Sequence, residues 1–345
     1  MLWVGDTTPR TWRGQTLGGA ALAGDNPDVI YRHAFIDGGA LYELRGRFPE
    51  KPPAQFSIEP IPGLAGVIPA TGTLTGAIGT TSGPGLLTDE DIICEPDRSF
   101  RVTLGRSLGS AGPNHLELSA EPMAINLRDV LSDWRQQPIP LSIHRLSPAS
   151  SKELGPAEIR ALVMDHLPAY IRHWAGFKDR WLGGIAPNTF RGPLGRAGAW
   201  SYILAGRYAL SAGQAILVTA HPVGARYHGA QVTDHWQVTM NNAQHQGSLN
   251  NTQVMANEDG TVTYVIAPQD TGVANWLDTE GCLDGLFLMR WQLFGPDFQP
   301  DQALRAFEVV DLAEIGRRSL PTVEPRRRRE QLAQRAIEYG YRLSV

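Results

Sequence analysis

Short runs of alternating apolar and polar residues, broken throughout by glycine and proline, constrain this chain more than any other feature. The 37 glycines and 25 prolines make up about 18% of the 345 residues, against roughly 12% in an average protein. They fall between the runs rather than in one low-complexity tract. A strand shows its side chains to two faces in turn and stops where glycine or proline redirects the backbone. The runs 29–36, 40–48, 100–104, 115–119, 140–146, 214–220, 235–240, 261–267 and 285–292 therefore predict strands. No helical segment separates them in the rhythm of a parallel βαβ sheet. The fold class that follows is mainly β (α+β): antiparallel β-sandwich or barrel regions with a helical insertion and a C-terminal helix.

The insertion has its own start signal. Gly155-Pro156-Ala157-Glu158 places proline at the first helical position and an acid in the first turn. Ile159, Leu162, Val163, Tyr170, Ile171, Trp174 and Phe177 then recur at helical spacing, with Pro168 expected to kink or split the element. A second helix is expected over 326–339 and a short one over 301–307. The Ser/Pro-containing stretch 147–151 reads as a boundary. The expected organisation is an N-terminal β-rich domain at 1–150, a helical connector at 151–185 and a C-terminal β-sandwich domain with its terminal helix at 186–345. Residues 62–85, rich in Gly, Thr and Ala, read as a loop or flap.

Charge and cysteine usage exclude several function classes. A formal net charge of −4 does not suit a nucleic-acid partner, which calls for a clustered positive face. The run Arg326 to Arg329 is followed by Glu330 and reads as solvated helix surface. Cys94 and Cys282 make neither a disulfide framework nor a zinc motif. The first residues lack the basic start and apolar run of a signal peptide, and no stretch is long enough to span a membrane. The reading is a cytoplasmic protein with a small-molecule ligand, no nucleic-acid or membrane partner, and the option of a homo-oligomer.

Motif matches narrow the chemistry further. Gly105-Arg106-Ser107-Leu108-Gly109 fits the G-x-S-x-G nucleophile elbow, but that elbow needs a helix after the serine. Gly112-Pro113-Asn114 and the alternating 115–119 run predict a hairpin instead, with Ser107 in its loop. No P-loop and no dinucleotide-binding glycine pattern occurs, so no organic cofactor is expected. The histidines have no metal-ligand spacing, and no metal is expected.

Two groups of residues remain as candidates. Asn26, Asp28, Tyr31 and Arg32 open the first long strand; they make either a capped turn or a carboxylate and amide held at a pocket edge. The second group is His235, Trp236, His245, Ser248, Asn250, Trp276, Asp278, Arg290 and Trp291. Arg290 lies in the apolar run Gly-Leu-Phe-Leu-Met-Arg-Trp, where burial is costly unless a carboxylate, Asp28 or Asp278, pairs with it. One reading is a structural ion pair. The other makes Arg290 the anchor of an anionic or carbonyl-bearing ligand, with His235 or His245 transferring a proton. Asp28 and Asp278 would then orient the histidine, and Trp236, Trp276 and Trp291 would form apolar walls. The corresponding functions are acid–base chemistry by a lyase, isomerase or hydrolase, a sugar- or lipid-binding module, or a structural, oligomer-forming protein.

The same residues carry a resemblance. Asn26-Pro-Asp-x-x-Tyr31, Pro187-Asn-Thr-Phe190, Gly206-Arg-Tyr208, His245-x-x-Ser-Leu-Asn250, Gly272-Val-x-Asn-Trp-Leu-Asp-Thr279 and Arg290-Trp291 together resemble a bacterial family, domain of unknown function 1214. The likeness runs from about residue 24 to about residue 295. It implies a two-part, β-sandwich-rich protein with helical insertions, and no residue-by-residue mechanism comes with it. Relatives commonly have a longer helical N-terminal region, and often Gly-His where this chain has Gly281-Cys282.

Overall fold

The structure, a computed structural model, describes residues 10–12, 26–62, 85–106, 112–118, 123–148, 154–176, 179, 183–195, 201–295 and 298–344. Ser107 and the Gly/Thr/Ala-rich stretch from 63 to 84 lie outside them. The described residues divide into two units. The first takes those within 10–12, 29–131 and 136–176; the second takes 26–28, 132–135 and those from 179 onward. The chain thus contributes two short N-terminal segments to its C-terminal unit, and the change of unit falls after 176 rather than in the Ser/Pro stretch.

The first unit contains β1 (Arg10–Trp12), β2 (Val29–Ile36), β3 (Tyr42–Arg47), β4 (Gln55–Pro62), β5 (Leu87–Thr88), β6 (Ser99–Gly105), β7 (His115–Glu117), β8 (Met123–Val130) and β9 (Leu141–Arg145), followed by α1 (Pro156–Ala175). They form two sheets, ordered β1-β2-β8-β4-β5 and β7-β6-β3-β9. Alternate residues of each meet in one core: Phe56, Ile58, Ile125 and Leu127 from the first sheet, and Tyr42, Leu44, Phe100 and Val102 from the second. This is the period-2 burial of a sandwich. Gly46 has a packing reason, since a side chain there would collide with the Phe100 ring.

The second unit contains β10 (Thr189–Gly195), β11 (Ser201–Ala209), β12 (Gln214–Ala220), β13 (Tyr227–Asp234), β14 (Ser248–Asn250), β15 (Val262–Ala267), β16 (Trp276–Asp278), β17 (Asp284–Gln292) and β18 (Leu304–Asp311), then α2 (Leu312–Ile315) and α3 (Pro325–Ser344). Its sheets are β10-β11-β17-β13-β14 and β16-β15-β12-β18. Leu204, Val232, Phe287, Met289 and Trp291 of one face Val218, Tyr264, Ile266 and Leu277 of the other. The second sheet is covered on its other face too, where Leu217, Val265 and Trp276 pack with Val310 and Ile315. No sheet among the described residues closes into a barrel. No helix among them is long and apolar enough to cross a membrane.

Four local expectations are corrected. β6 and β7 pair in parallel, so the segment after Gly105 is not a hairpin, although a strand rather than a helix does follow the serine motif. Residues 235–240 form no strand: the Asp234 carboxylate accepts from the backbone N–H of Trp236 (2.8 Å) and Val238 (3.0 Å), folding that segment into a turn. Residues 301–307 hold a one-turn 3-10 helix, Pro300–Gln302, which gives way to β18. α1 runs unbroken through Pro168, and its expected apolar stripe leaves Val163 and Ile171 exposed.

Candidate functional site

Two carboxylate-centred constellations occur in the second unit, and their chemistry differs. In the first, the Asn26 side chain accepts from the Asp28 backbone N–H (3.0 Å), closing the tight turn that Asn-Pro-Asp favours. The Asp28 carboxylate, 2% exposed, then accepts three hydrogen bonds. They come from Trp134 Nε1 (2.7 Å), the Tyr227 hydroxyl (2.7 Å) and Asn250 Nδ2 (3.0 Å). Asn26 Nδ2 donates to the same Tyr227 oxygen at 2.9 Å. Burial first, and Asp28 second, hold the Tyr227 phenol well above its ordinary pKa. A carboxylate enclosed by three donors organises its surroundings. Asn26 and Asp28 are thus part of the packed interior.

The second constellation is half-open. Backbone bonds from Gln244 (3.0 Å) and His245 (2.8 Å) to the Asn241 carbonyl coil the segment after the 234–238 turn. The Gln246 carbonyl then accepts from the Asp278 N–H (3.0 Å) at the end of β16. This joint sets His245 Nδ1 2.7 Å from Asp278 Oδ2, with the histidine partly exposed and the aspartate largely buried. A carboxylate only accepts, so Nδ1 carries the hydrogen, and in the neutral ring Nε2 holds the lone pair. Asp278 Oδ1 is fixed by the Glu280 N–H at 2.9 Å. Glu280 has φ of 51° and its carboxylate accepts from the Asn241 N–H, so a strained residue fastens both sides of the dyad.

The remaining expected site residues are dispersed. Arg290, on β17, donates to Gln231 Oε1 (2.6 Å) on neighbouring β13. Trp291 is fully buried in the sandwich core, its Nε1 donating to the His221 carbonyl (3.0 Å). Trp276 is buried beneath α3 residue Arg328 and donates to the Ala267 carbonyl (3.0 Å). Rings packed this way fill the core and present no wall to a ligand. His235 and Trp236 lie against each other on the turn, with Trp236 55% exposed. Tyr31 and Arg32 belong to the first unit, where Arg32 forms a buried ion pair with Asp129 and donates to the Ile139 carbonyl (2.7 Å).

Sequence reasoning missed Trp134, Tyr227 and Arg335, which bind across long stretches of chain and carry no local motif. It also missed the buried pair of Arg128 and Glu59 (2.7 Å) in the first unit. Among the described residues no group of three or more His, Cys, Asp or Glu is placed to hold a metal ion.

No family model matches the chain, and no curated protein matches it. Among solved structures it is similar to an uncharacterised protein of Burkholderia cenocepacia. The TM-score is 0.74 at 23% identity, covering 90% of this chain and 83% of that one. A protein of Vibrio parahaemolyticus aligns at 9% identity over 84% of this chain and 90% of that one, with a TM-score of 0.45. The Burkholderia likeness shows a shared fold.

Proposed function

We propose that the chain is an enzyme of acid–base type, a lyase, isomerase or hydrolase that uses no organic cofactor. Its substrate is a small apolar or aromatic molecule bearing a carboxylate, carbonyl or hydroxyl. The observation that supports this is the His245–Asp278 contact of 2.7 Å. Asp278 fixes the tautomer in which Nε2 can take a proton, and it stabilises the imidazolium formed when it does. The partial exposure of His245 gives a substrate access, whereas the enclosed Asp28 cluster offers none. A lectin-like reading needs several open tryptophan faces, and of Trp134, Trp236, Trp276 and Trp291, Trp236 alone is exposed. The free thiols Cys94 and Cys282 suit a reducing compartment, and a cytoplasmic location belongs to the proposal.

The test is turnover. Purified protein is incubated with a fractionated small-molecule extract and followed by mass spectrometry, in parallel with His245→Gln of unchanged circular dichroism. The expected result is a species consumed by the native chain and converted roughly 10²- to 10⁴-fold more slowly by the variant. Equal conversion by both would overturn the assignment.

A further inference from the structure

The second unit has a groove of about 540 Å³ between α3 and the segments around 246–255 and 274. Its volume lies in the range that small ligands occupy. Leu249, Met255, Ala274 and Val323 give it an apolar lining. Arg335, 6% exposed, also lines it.

The guanidinium of Arg335 is incompletely used. Nε donates to the carbonyls of Asn242 and His245 (3.2 Å each), and Nη2 to Asn242 Oδ1 (2.7 Å) and Ser248 Oγ (2.8 Å). One face lies over the Trp134 ring, 4.4 Å from its centroid. Among the described residues Nη1 makes no hydrogen bond, and Arg335 is one of the groove's lining residues. Three other arginines of α3 have carboxylate partners: Arg326 and Arg327 pair with Glu330 (3.1 and 3.2 Å) and Arg328 with Asp270 (3.0 Å). No described carboxylate lies within 4.0 Å of Arg335. Burial lowers the Arg335 pKa to about 10, against the charges of Asp28 and Glu338, which raise it, so the guanidinium stays charged at neutral pH.

We propose that this groove is a binding site for a small monocarboxylate with an apolar body, its carboxylate bound by Arg335 Nη1 and its body lying on Leu249, Met255, Ala274 and Val323. Glu330 and Glu338 line the same groove and disfavour a dianion such as phosphate. The inference does not depend on His245 moving a proton.

Isothermal titration of the full chain with benzoate and with hexanoate, and with benzyl alcohol as the uncharged counterpart, tests it. At least one carboxylate should bind saturably, at least about tenfold tighter than the alcohol, because a charge-assisted contact is at stake. Arg335→Gln should abolish that binding. Gln334→Trp, which fills the groove from an exposed rim position, should do the same, and it decides the matter alone if Arg335→Gln does not fold. Absence of saturable binding by both carboxylates, or undiminished binding in Gln334→Trp, would overturn the proposal.

Discussion

Trp134, Tyr227 and Asn250 hold the Asp28 carboxylate from three sides in a nearly water-free setting. Asp28→Ala strands those donors, and urea denaturation should show a loss of about 3 kcal/mol or more. His228 makes a second residue-scale test. Burial lowers its pKa from 6.5 to about 4. The unfolded chain therefore takes up a proton first as the pH falls, so this contribution is complete above pH 6.5 and declines between 6.5 and 4. By linkage, stability at pH 5 should be about 2 kcal/mol below its value at pH 8 from this group. His228→Gln should remove that part of the slope in denaturation midpoints. The turn at Asn26-Pro27-Asp28 was legible in the sequence because its bonds are local. Its meeting with partners 106, 199 and 222 positions away was not.

Helices and strands show the same division between local and distant causes. Proline and Glu158 at the start of α1, and the Ala/Leu/Ile pattern of α3, mark those helices in the sequence because capping and helical spacing act within a few residues. β8 and β13 escaped notice because Arg128, Asp129, Gln231 and Thr233 interrupt their apolar pattern. Those residues are buried against partners that only the folded chain supplies. The 235–240 segment alternates like a strand, yet the Asp234 carboxylate turns it. Two substitutions separate surface from core at this scale. Ile171→Gln on α1 is exposed and should shift stability by less than about 0.5 kcal/mol. Ile143→Ala on β9 removes core packing and should cost about 2–5 kcal/mol. Both are read from denaturant midpoints.

At the scale of the whole molecule, each unit builds a two-sheet sandwich around its own core, and the chain's mainly β character followed from turn punctuation alone. The assignment of residues 26–28 and 132–135 to the second unit was not legible, since it rests on contacts made far along the chain. Of the expected constellation, the fold joins His245 to Asp278 and puts Trp276 and Trp291 into the core. The proposed chemistry requires Asp278 to hold His245 in the tautomer with Nδ1 protonated and Nε2 free to accept a proton. Nitrogen-15 NMR of the His245 ring in the full chain, recorded against Asp278→Asn, measures this directly. The native chain near pH 8 should show a protonated Nδ1 and an unprotonated Nε2, with that preference lost in the variant. A native ring protonated on Nε2, or one whose tautomer ignores the Asp278 substitution, would contradict it.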